Sequence, residues 1–180
     1  MDVEALALDH IYDFKGHKAQ IREISPFDKK MLLEGLHEME PKSIYHRFFG
    51  AKKGLTAKEL INLTEFDKRF HYAIGVATIT SPAHPMGVAR FDIHRDNSKV
   101  AEFAITIIDK YQGLGIGKEL LGLLILEAKS RGIKILEGEM LNTNTKMIAL
   151  AQSMTKTHGC ELKLSRSEQG VQTISLILPS

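Results

Sequence analysis

The sequence predicts a single α/β domain with a mixed, mostly antiparallel central sheet that is flanked by helices. Three observations favour this fold class. Residues 102–108 form an apolar, β-branched run typical of a buried strand, and residues 116–131 are apolar on several faces, as in a buried helix. Upstream of both, helix signals come first and strand patterns follow. A chain of 180 residues fits one domain, which we expect to span residues 1–180.

The N-terminal region is expected to form a hairpin. Residues 9–24 alternate between apolar and polar around Lys15 and Gly16, so we interpret residues 1–17 as an extension that carries the first hairpin strand. Later strands are expected at about residues 70–80, 86–94, 99–108, 133–140, 160–165 and 171–178. The first two of these are joined by a proline-containing turn at residues 81–85.

Capping signals predict where the helices begin and end. Ser25, which is followed by proline, starts one helix. Pro41 begins a second helix that stops at Gly50. Thr56 caps a third helix and has Glu59 at the capping-box position. Two further helices are expected over residues 116–131 and about 143–156.

Charge and composition exclude several classes of function. The net charge of +2, without a Lys/Arg block, gives no indication of nucleic-acid binding. Apolar runs are far shorter than the ~20 residues that cross a bilayer, so we expect no membrane association. The acidic N-terminus does not resemble a signal peptide. Cys160, the single cysteine, excludes an internal disulfide, and no metal-ligand spacing is present. We expect a cytoplasmic protein.

The glycine-rich segment 112–117, Gln-Gly-Leu-Gly-Ile-Gly, joins the buried strand to the buried helix. Such a turn exposes backbone N–H groups at a helix N-terminus, where an anion binds and is usually a phosphate. A dinucleotide-binding turn does not fit, because the sixth position counted from Gly113 is Lys118. A P-loop does not fit either, since Gln112 and Glu119 occupy the positions of its first glycine and its hydroxyl residue. A simple glycine-rich connection into a buried helix remains an alternative.

The pattern Gln-x-x-Gly-x-Gly and the order of elements resemble the GNAT N-acetyltransferase superfamily. Several segments are similar to a narrower group, the GNAT domain of Pat-type bacterial protein lysine acetyltransferases in a stand-alone form. These segments are Ser-Ile-Tyr-His-Arg-Phe-Phe at 43–49, Gly-Val-Ala-Arg at 87–90, Ala-Glu-Phe-Ala at 101–104, Asn-Thr-Lys-Met at 144–147, and shorter matches at 21–28, 63–73 and 138–139. Within these 180 residues we expect neither the acyl-CoA-synthetase-like nor the cyclic-nucleotide-binding domain of larger members.

The resemblance implies acetyl-CoA as the co-substrate, with no metal. Backbone groups of the strand before the loop pair with the pantetheine arm, and backbone N–H groups of the loop hold the pyrophosphate. Lys118 either reaches a phosphate or is solvated, and Asn144 either contacts the coenzyme or caps the helix that follows. Met147 also belongs to the helix core. The implied coenzyme-binding residues are Ile105, Thr106, Ile107, Gln112, Gly113, Leu114, Gly115, Ile116, Gly117, Lys118, Asn144 and Met147.

Catalysis requires a base, because an amine of pKa near 10.4 is protonated at pH 7 and its deprotonation costs roughly 4–5 kcal/mol. By resemblance the base is Glu102, which we expect to be partly buried and to act directly or through a water. The alternative is a glutamate in a salt bridge at the sheet edge. Glu139 is the second candidate and would help to attract a cationic amine. No tyrosine follows the last helix to act as the general acid that protonates the leaving thiolate. Ser153, His158 and Cys160 are the weaker candidates for this role.

The acceptor side is implied by resemblance to lie under the early helices. Tyr45, Arg47 and Phe48 are expected to form its wall, and His71 to face it; helix packing and a structural histidine are the alternatives. The implied acceptor is a protein lysine side chain. A small-molecule amine (a polyamine, an amino acid or an aminoglycoside) and a non-catalytic acyl-CoA-binding domain remain as rivals. The oligomeric state is open, with a homodimer as one option.

Overall fold

The computed structural model describes residues 10–179 as one eight-stranded sheet flanked by five α-helices. The strands are β1 (Ile11–Phe14), β2 (His17–Glu23), β3 (His71–Thr78), β4 (Pro85–His94), β5 (Asn97–Ile107), β6 (Ile135–Leu141), β7 (Glu161–Leu164) and β8 (Val171–Ile177). The helices are α1 (Lys29–His37), α2 (Pro41–Phe48), α3 (Ala57–Thr64), α4 (Ile116–Ser130) and α5 (Thr145–His158). No helix among residues 10–179 is long and apolar enough to cross a membrane.

The predicted α/β fold is confirmed, with strand order β1-β2-β3-β4-β5-β6-β8-β7. All neighbouring strands are antiparallel except β5 and β6. The N-terminal hairpin is present: β1 pairs with β2, and Lys15 and Gly16 both have positive φ, as a tight two-residue turn requires. Residues 1–9 of the predicted extension lie outside the described residues.

The predicted N-caps Ser25 and Thr56 are both confirmed, but the turn that begins at Ser25 is a 3₁₀ helix and not an α-helix. Ser25 and Asp28 form a capping box, but it begins a 3₁₀ turn, and α1 starts only at Lys29. Thr56 and Glu59 form the predicted capping box of α3, with the Thr56 N–H donating to Glu59 Oε2 over 2.8 Å.

The predicted end of α2 at Gly50 is one residue late. Phe49 takes the left-handed conformation at the C-cap, with φ 55°, and its N–H donates to the carbonyl oxygen of Tyr45. A glycine is the usual residue at such a position, because a side chain is strained there. Glycine position alone therefore did not predict where this helix stops.

Helix α4 packs across one face of the sheet, as its apolar pattern predicts. Leu120, Leu121, Leu124 and Ile125 are completely buried in the same core as Ile74 and Phe91 of the meander. Only one edge of the helix reaches solvent, and there Leu126 is 40% exposed. The core therefore lies between α4 and the sheet, and it leaves the opposite face of β3 to β5 to helices α1 to α3.

An opening between β5 and β6 positions the functional site. The two parallel strands are paired only from Val100 to Glu102, where Glu102 lies opposite Glu137. Beyond that pair β5 continues against β4, and β6 continues against β8. Gly138, directly after the last paired residue of β6, still lies close to β5, because a Cβ there would lie 2.9 Å from the carbonyl oxygen of Phe103. The second half of β5 therefore has one edge without a strand partner among residues 10–179.

Candidate active site

Two cavities meet at β5. The first, called here the coenzyme groove, has a volume of about 620 Å³ and runs from the β5–β6 opening to the glycine-rich loop and the start of α5. The second, called here the apolar cavity, has a volume of about 200 Å³ and lies between the sheet and helices α1 to α3. Met39, Arg47, Ala104 and Thr106 line both cavities, so the two spaces adjoin along β5 and the start of the helix side.

The glycine-rich loop has the geometry of an anion cradle. Gly113 and Gly115 have φ of +76° and +94°, which side chains rarely adopt, and a Cβ at either would meet no atom within 4 Å. Gly115 is the N-cap of α4 and provides no side-chain cap. Among the described residues, no hydrogen bond uses the N–H groups of residues 114–118. These N–H groups and the positive end of α4 are therefore available to a phosphate.

Gly117 has a different part in the loop. A Cβ at this position would lie 3.4 Å from the Leu150 side chain, so its small size lets α4 and α5 pack closely. Leu114 is half-buried against the core and does not line the groove, whereas Ile116 is buried beneath it. Lys118 is exposed at the groove wall.

The Gln112 side chain fastens the loop. Its amide NH₂ donates to the carbonyl oxygen of Ile107 over 3.1 Å and to Asp109 Oδ1 over 3.3 Å. Its amide oxygen accepts from Lys146 Nζ over 2.7 Å. The donor that the sequence suggested for a phosphate is therefore used within the protein. Lys146, which sequence reasoning missed, brings a cation to the groove instead.

Asn144 caps helix α5, and it also lines the groove. Its Oδ1 accepts from the backbone N–H of Met147 over 3.2 Å, which is the capping alternative considered from the sequence. Met147 is half-buried, packs against the core and contributes to the groove wall. On β5, Ile105, Thr106 and Ile107 line the groove along the unpaired edge.

Glu102 lies at the β5–β6 opening, on the sheet face that carries helices α1 to α3. It is exposed, so the expected partial burial is wrong. Within residues 10–179 no hydrogen bond or ion pair takes up its carboxylate, and the salt-bridge alternative is therefore not seen. Glu139, also exposed, lines the same groove from β6.

A row of charged side chains crosses the sheet at Glu102. The register places His71, Asp92, Glu102 and Glu137 directly opposite one another on β3, β4, β5 and β6, so they share one face. Sequence reasoning missed Asp92 and Glu137, because the row exists only once four strands are in register. Within residues 10–179, no three His, Cys, Asp or Glu side chains are grouped so as to hold a metal ion.

Within this row, the side chains of His71 and Asp92 are hydrogen-bonded to each other. Asp92 accepts from Arg90 Nη2 over 2.8 Å and from His71 Nδ1. Burial alone would raise the pKa of the Asp92 carboxyl, but the bonds from Arg90 and His71 lower it below its usual value. His71 therefore belongs to this structural pair and lines neither cavity. Glu102 and Glu137 supply the row's remaining negative charge, with His94 3.8 Å from Glu137.

Arg47 lies where the two cavities join. Burial lowers the pKa of its guanidinium, and the charge of Arg90 acts in the same direction, whereas Glu102 and Asp92 oppose the shift. No hydrogen bond or ion pair of the described residues uses this guanidinium, whose carbon lies 5.0 Å from the Phe48 ring centre. Phe48 lines the apolar cavity, but Tyr45 is 51% exposed and lines neither space.

Comparison with known proteins decides the family. Residues 39–155 match the acetyltransferase (GNAT) family. The chain belongs to this family. It is 33% identical over 132 residues to Acetyltransferase Pat of Mycolicibacterium smegmatis, a match that covers 73% of this chain and 39% of that protein. The chain therefore spans about two fifths of that relative's length.

Solved structures agree with the GNAT assignment. The GNAT domain of S. lividans PAT superposes with a TM-score of 0.78 and 27% identity, over 91% of this chain and 92% of that one. The yncA structure from Salmonella typhimurium, solved with its cofactor acetyl-CoA, shares the fold with a TM-score of 0.69 and 16% identity, over 89% and 94% of the two chains. The predicted GNAT fold and the resemblance to Pat-type proteins are confirmed, and so is an acetyl-CoA-dependent N-acetyltransferase at the level of the family.

The three general-acid candidates from the sequence, Ser153, His158 and Cys160, do not line the coenzyme groove. Ser153 Oγ donates to the carbonyl oxygen of Leu150, and burial raises the pKa of the Cys160 thiol while it lowers that of His158. Tyr111 does line the groove, and it is buried with its ring against His17 at 5.5 Å.

Proposed function

We propose that the protein transfers the acetyl group of acetyl-CoA to the side-chain amine of protein lysines. One observation carries this proposal: a continuous groove leads from the free N–H groups of the glycine-rich loop, along the unpaired edge of β5, to the exposed carboxylate of Glu102. An anion cradle, a strand edge and a free base thus lie in the order that an acyl-CoA substrate and an attacking amine require.

The residues present fit coenzyme A. The loop N–H groups and the N-terminus of α4, with Lys118 and Lys146 beside them, would hold the pyrophosphate. Ile105 and the N–H of Ile107, whose carbonyl oxygen already accepts from Gln112, lie at a strand edge that has no strand partner within residues 10–179, which suits the amide-containing pantetheine arm. Asn144, Met147 and Thr106 complete the wall. Acetyl-CoA supplies the thioester whose acyl group is transferred.

Glu102 has the position of the general base. A lysine amine of pKa near 10.4 must lose a proton before it attacks, which costs roughly 4–5 kcal/mol at pH 7. Glu102 takes up this proton, directly or through a water, and the neutral nitrogen then bonds to the carbonyl carbon. The carbon–sulfur bond breaks, and the second proton of the attacking nitrogen passes to solvent. The departing sulfur leaves as the thiolate of coenzyme A and takes up a proton from solvent. Backbone N–H groups after Glu102 are suited to stabilise the oxyanion.

The charges around Glu102 support a cationic acceptor. Glu137 lies opposite Glu102 in the sheet, and Glu139 lines the groove two residues further along β6. The groove is also lined by Lys42, Arg47, Lys118 and Lys146, so the attraction for a cation is local to the carboxylates of Glu102 and Glu139 at the β5–β6 opening. This supports a lysine or a polyamine over an amino acid whose own carboxylate would be repelled. The similarity to Acetyltransferase Pat of M. smegmatis and to S. lividans PAT favours lysine.

One experiment separates the alternatives. The protein is incubated with acetyl-CoA and either a panel of amines or a proteome extract, and both free thiol and acetyl-lysine are measured. We expect thiol release that depends on protein substrates, with acetyl-lysine in the products. Thiol release with polyamines but not with proteins would instead assign a small-molecule enzyme. Coenzyme binding without thiol release from any acceptor would identify a non-catalytic acyl-CoA-binding domain.

A further inference from the structure

We propose that the apolar cavity accepts the hydrocarbon tail of acyl-CoA thioesters that are longer than acetyl-CoA. This inference rests on the proposed coenzyme groove, and it extends the substrate class of the same site to short- and medium-chain acyl groups. Three observations carry it: the position where the cavity adjoins the groove, the small residues of its floor, and the charges around it.

The cavity adjoins the groove beside the expected thioester position. Ala104 and Thr106 line both spaces, and they follow Glu102 at alternate positions on β5, on the same sheet face. An acyl group held near Glu102 therefore has the cavity next to it. Met39 and Arg47 form the helix side of this boundary.

Small side chains leave room under the helices. On the floor, Ala73 and Ala77 of β3 line the cavity with small side chains, whereas at Gly75 the Ile24 side chain already occupies the place of a Cβ. The walls are apolar, with Leu36 and Phe48 among them. The volume of about 200 Å³ compares with ~30 Å³ for a water-sized group, so roughly six such groups fit. This space matches the extra methylenes of hexanoyl or octanoyl chains, and a bare acetyl group leaves it empty.

The charges separate the acyl chain from the amine. Three guanidiniums line the apolar cavity: Arg22 is paired with Asp28, Arg90 with Asp92, and Arg47 has no acidic partner within hydrogen-bonding distance among the described residues. A cationic lysine would be repelled there. The carboxylates of Glu102, Glu137 and Glu139 lie instead around the β5–β6 opening. We therefore assign the uncharged tail to the cavity and the amine to the acidic side.

The test is a binding series that needs no acceptor. Dissociation constants are measured by calorimetry for acetyl-, butyryl-, hexanoyl-, octanoyl- and dodecanoyl-CoA with the full chain. Each buried methylene should tighten binding about fourfold, equivalent to about 0.8 kcal/mol. We expect butyryl-CoA to bind about 15-fold more tightly than acetyl-CoA, and the gain to end near octanoyl-CoA, where the cavity is full. Equal affinity for acetyl- and hexanoyl-CoA would overturn the proposal.

A cavity-filling variant gives the matched comparison. Val88 lines the apolar cavity but not the groove, so Val88→Phe should remove the gain from longer chains and leave the acetyl-CoA affinity within about threefold. Val171→Phe, a half-buried valine of β8 that lines neither cavity, is the control and should keep the chain-length gain. If Val88→Phe does not fold, the smaller change Ala77→Val tests the same space.

The remaining outcomes are also decisive. A Val88→Phe protein that retains the chain-length gain would overturn the cavity assignment. An unchanged chain-length profile together with a raised KM for protein acceptors would assign the cavity to an acceptor side chain instead. No binding of any acyl-CoA would overturn the coenzyme groove itself. Normal binding of the series without lysine acetylation would overturn only the proposed acceptor and would leave the cavity assignment supported.

Discussion

At the scale of single residues, Glu102 is the carboxylate on which the proposed chemistry depends. Glu102→Gln keeps the size of the side chain and removes its ability to accept a proton. We expect kcat at pH 7 to fall about 100-fold or more, with the acetyl-CoA affinity nearly unchanged. Steady-state kinetics and calorimetry on the same preparation check both values.

The control for this change is Glu137→Gln, which alters the carboxylate opposite Glu102 in the sheet. That variant should raise the KM for a cationic acceptor and change kcat by less than about tenfold. If Glu102→Gln keeps its turnover while Glu137→Gln loses it, the base has been assigned to the wrong strand.

Gly115 tests the anion cradle at the same scale. Its φ of +94° is strained for any side chain, and a Cβ would project into the open space above the loop. Gly115→Ala should cost about 1–2 kcal/mol of stability and weaken coenzyme A binding at least tenfold, because the new methyl group occupies the approach of the phosphate.

Gly170→Ala separates these two effects. Gly170 has a similar φ of +83° and equally open surroundings, but it lies beside β8, away from the groove. The two variants should lose similar free energy of unfolding, and only Gly115→Ala should lose affinity. Equal coenzyme binding by both would show that the loop does not hold the pyrophosphate.

At the scale of elements, the carboxylate of Asp28 joins β2 to the start of α1. It accepts two hydrogen bonds from Arg22, at 2.6 and 2.8 Å, and one from the backbone N–H of Ser25 at 2.7 Å. Burial opposes ionisation, but these bonds outweigh it and lower the pKa of the Asp28 carboxyl. Because α1 forms one wall of the apolar cavity, this junction also holds the cavity's helix side in place.

The lowered pKa gives a signed pH prediction. In the folded protein the Asp28 carboxyl stays ionised at pH values below its pKa in the unfolded chain, which is about 3.9. Its contribution to the free energy of unfolding is therefore complete above pH 4 and is lost as the pH falls through the pKa of the folded state. Asp28→Asn should therefore lower the unfolding free energy by about 1.5 kcal/mol at pH 7, and the difference from wild type should shrink below pH 4. Urea unfolding at pH 7 and pH 3 measures both, with Asp96→Asn, exposed in the β4–β5 turn, as the unchanged control. A difference that persists undiminished at pH 3 would contradict this account.

The elements were predictable where local chemistry determines them. The N-cap at Ser25, the capping box at Thr56 and the apolar faces of α4 lie within a few residues of sequence, and all are present. Phe49 was not predictable as the end of α2, because its left-handed conformation contradicts the preference of the residue type. Gln112 was placed at the loop, but its partner Lys146 lies 34 residues away on another helix.

At the scale of the whole molecule, the long-range register of the strands forms the site, and this register is not visible in the sequence. The row from His71 to Glu137 needs four strands in alignment, and the apolar cavity needs three helices over the sheet. Neither has a local sequence signal. The glycine pattern indicated the anion-binding loop and the family resemblance supplied Glu102, whereas the adjoining position of the two cavities appears only in three dimensions.

The coenzyme groove draws on β5, β6, α4 and α5, which together join both halves of the sheet, so its ligand should stabilise the whole domain. Coenzyme A at 100 times its dissociation constant should raise the unfolding free energy by about 2.7 kcal/mol. For a domain of this size that corresponds to a rise in Tm of roughly 5–10 °C in a single transition. Differential scanning calorimetry measures the shift, and Gly115→Ala at the same coenzyme concentration should show a smaller one. A second transition that does not move with coenzyme A would mean that the two halves of the sheet unfold separately and that the groove does not unite them.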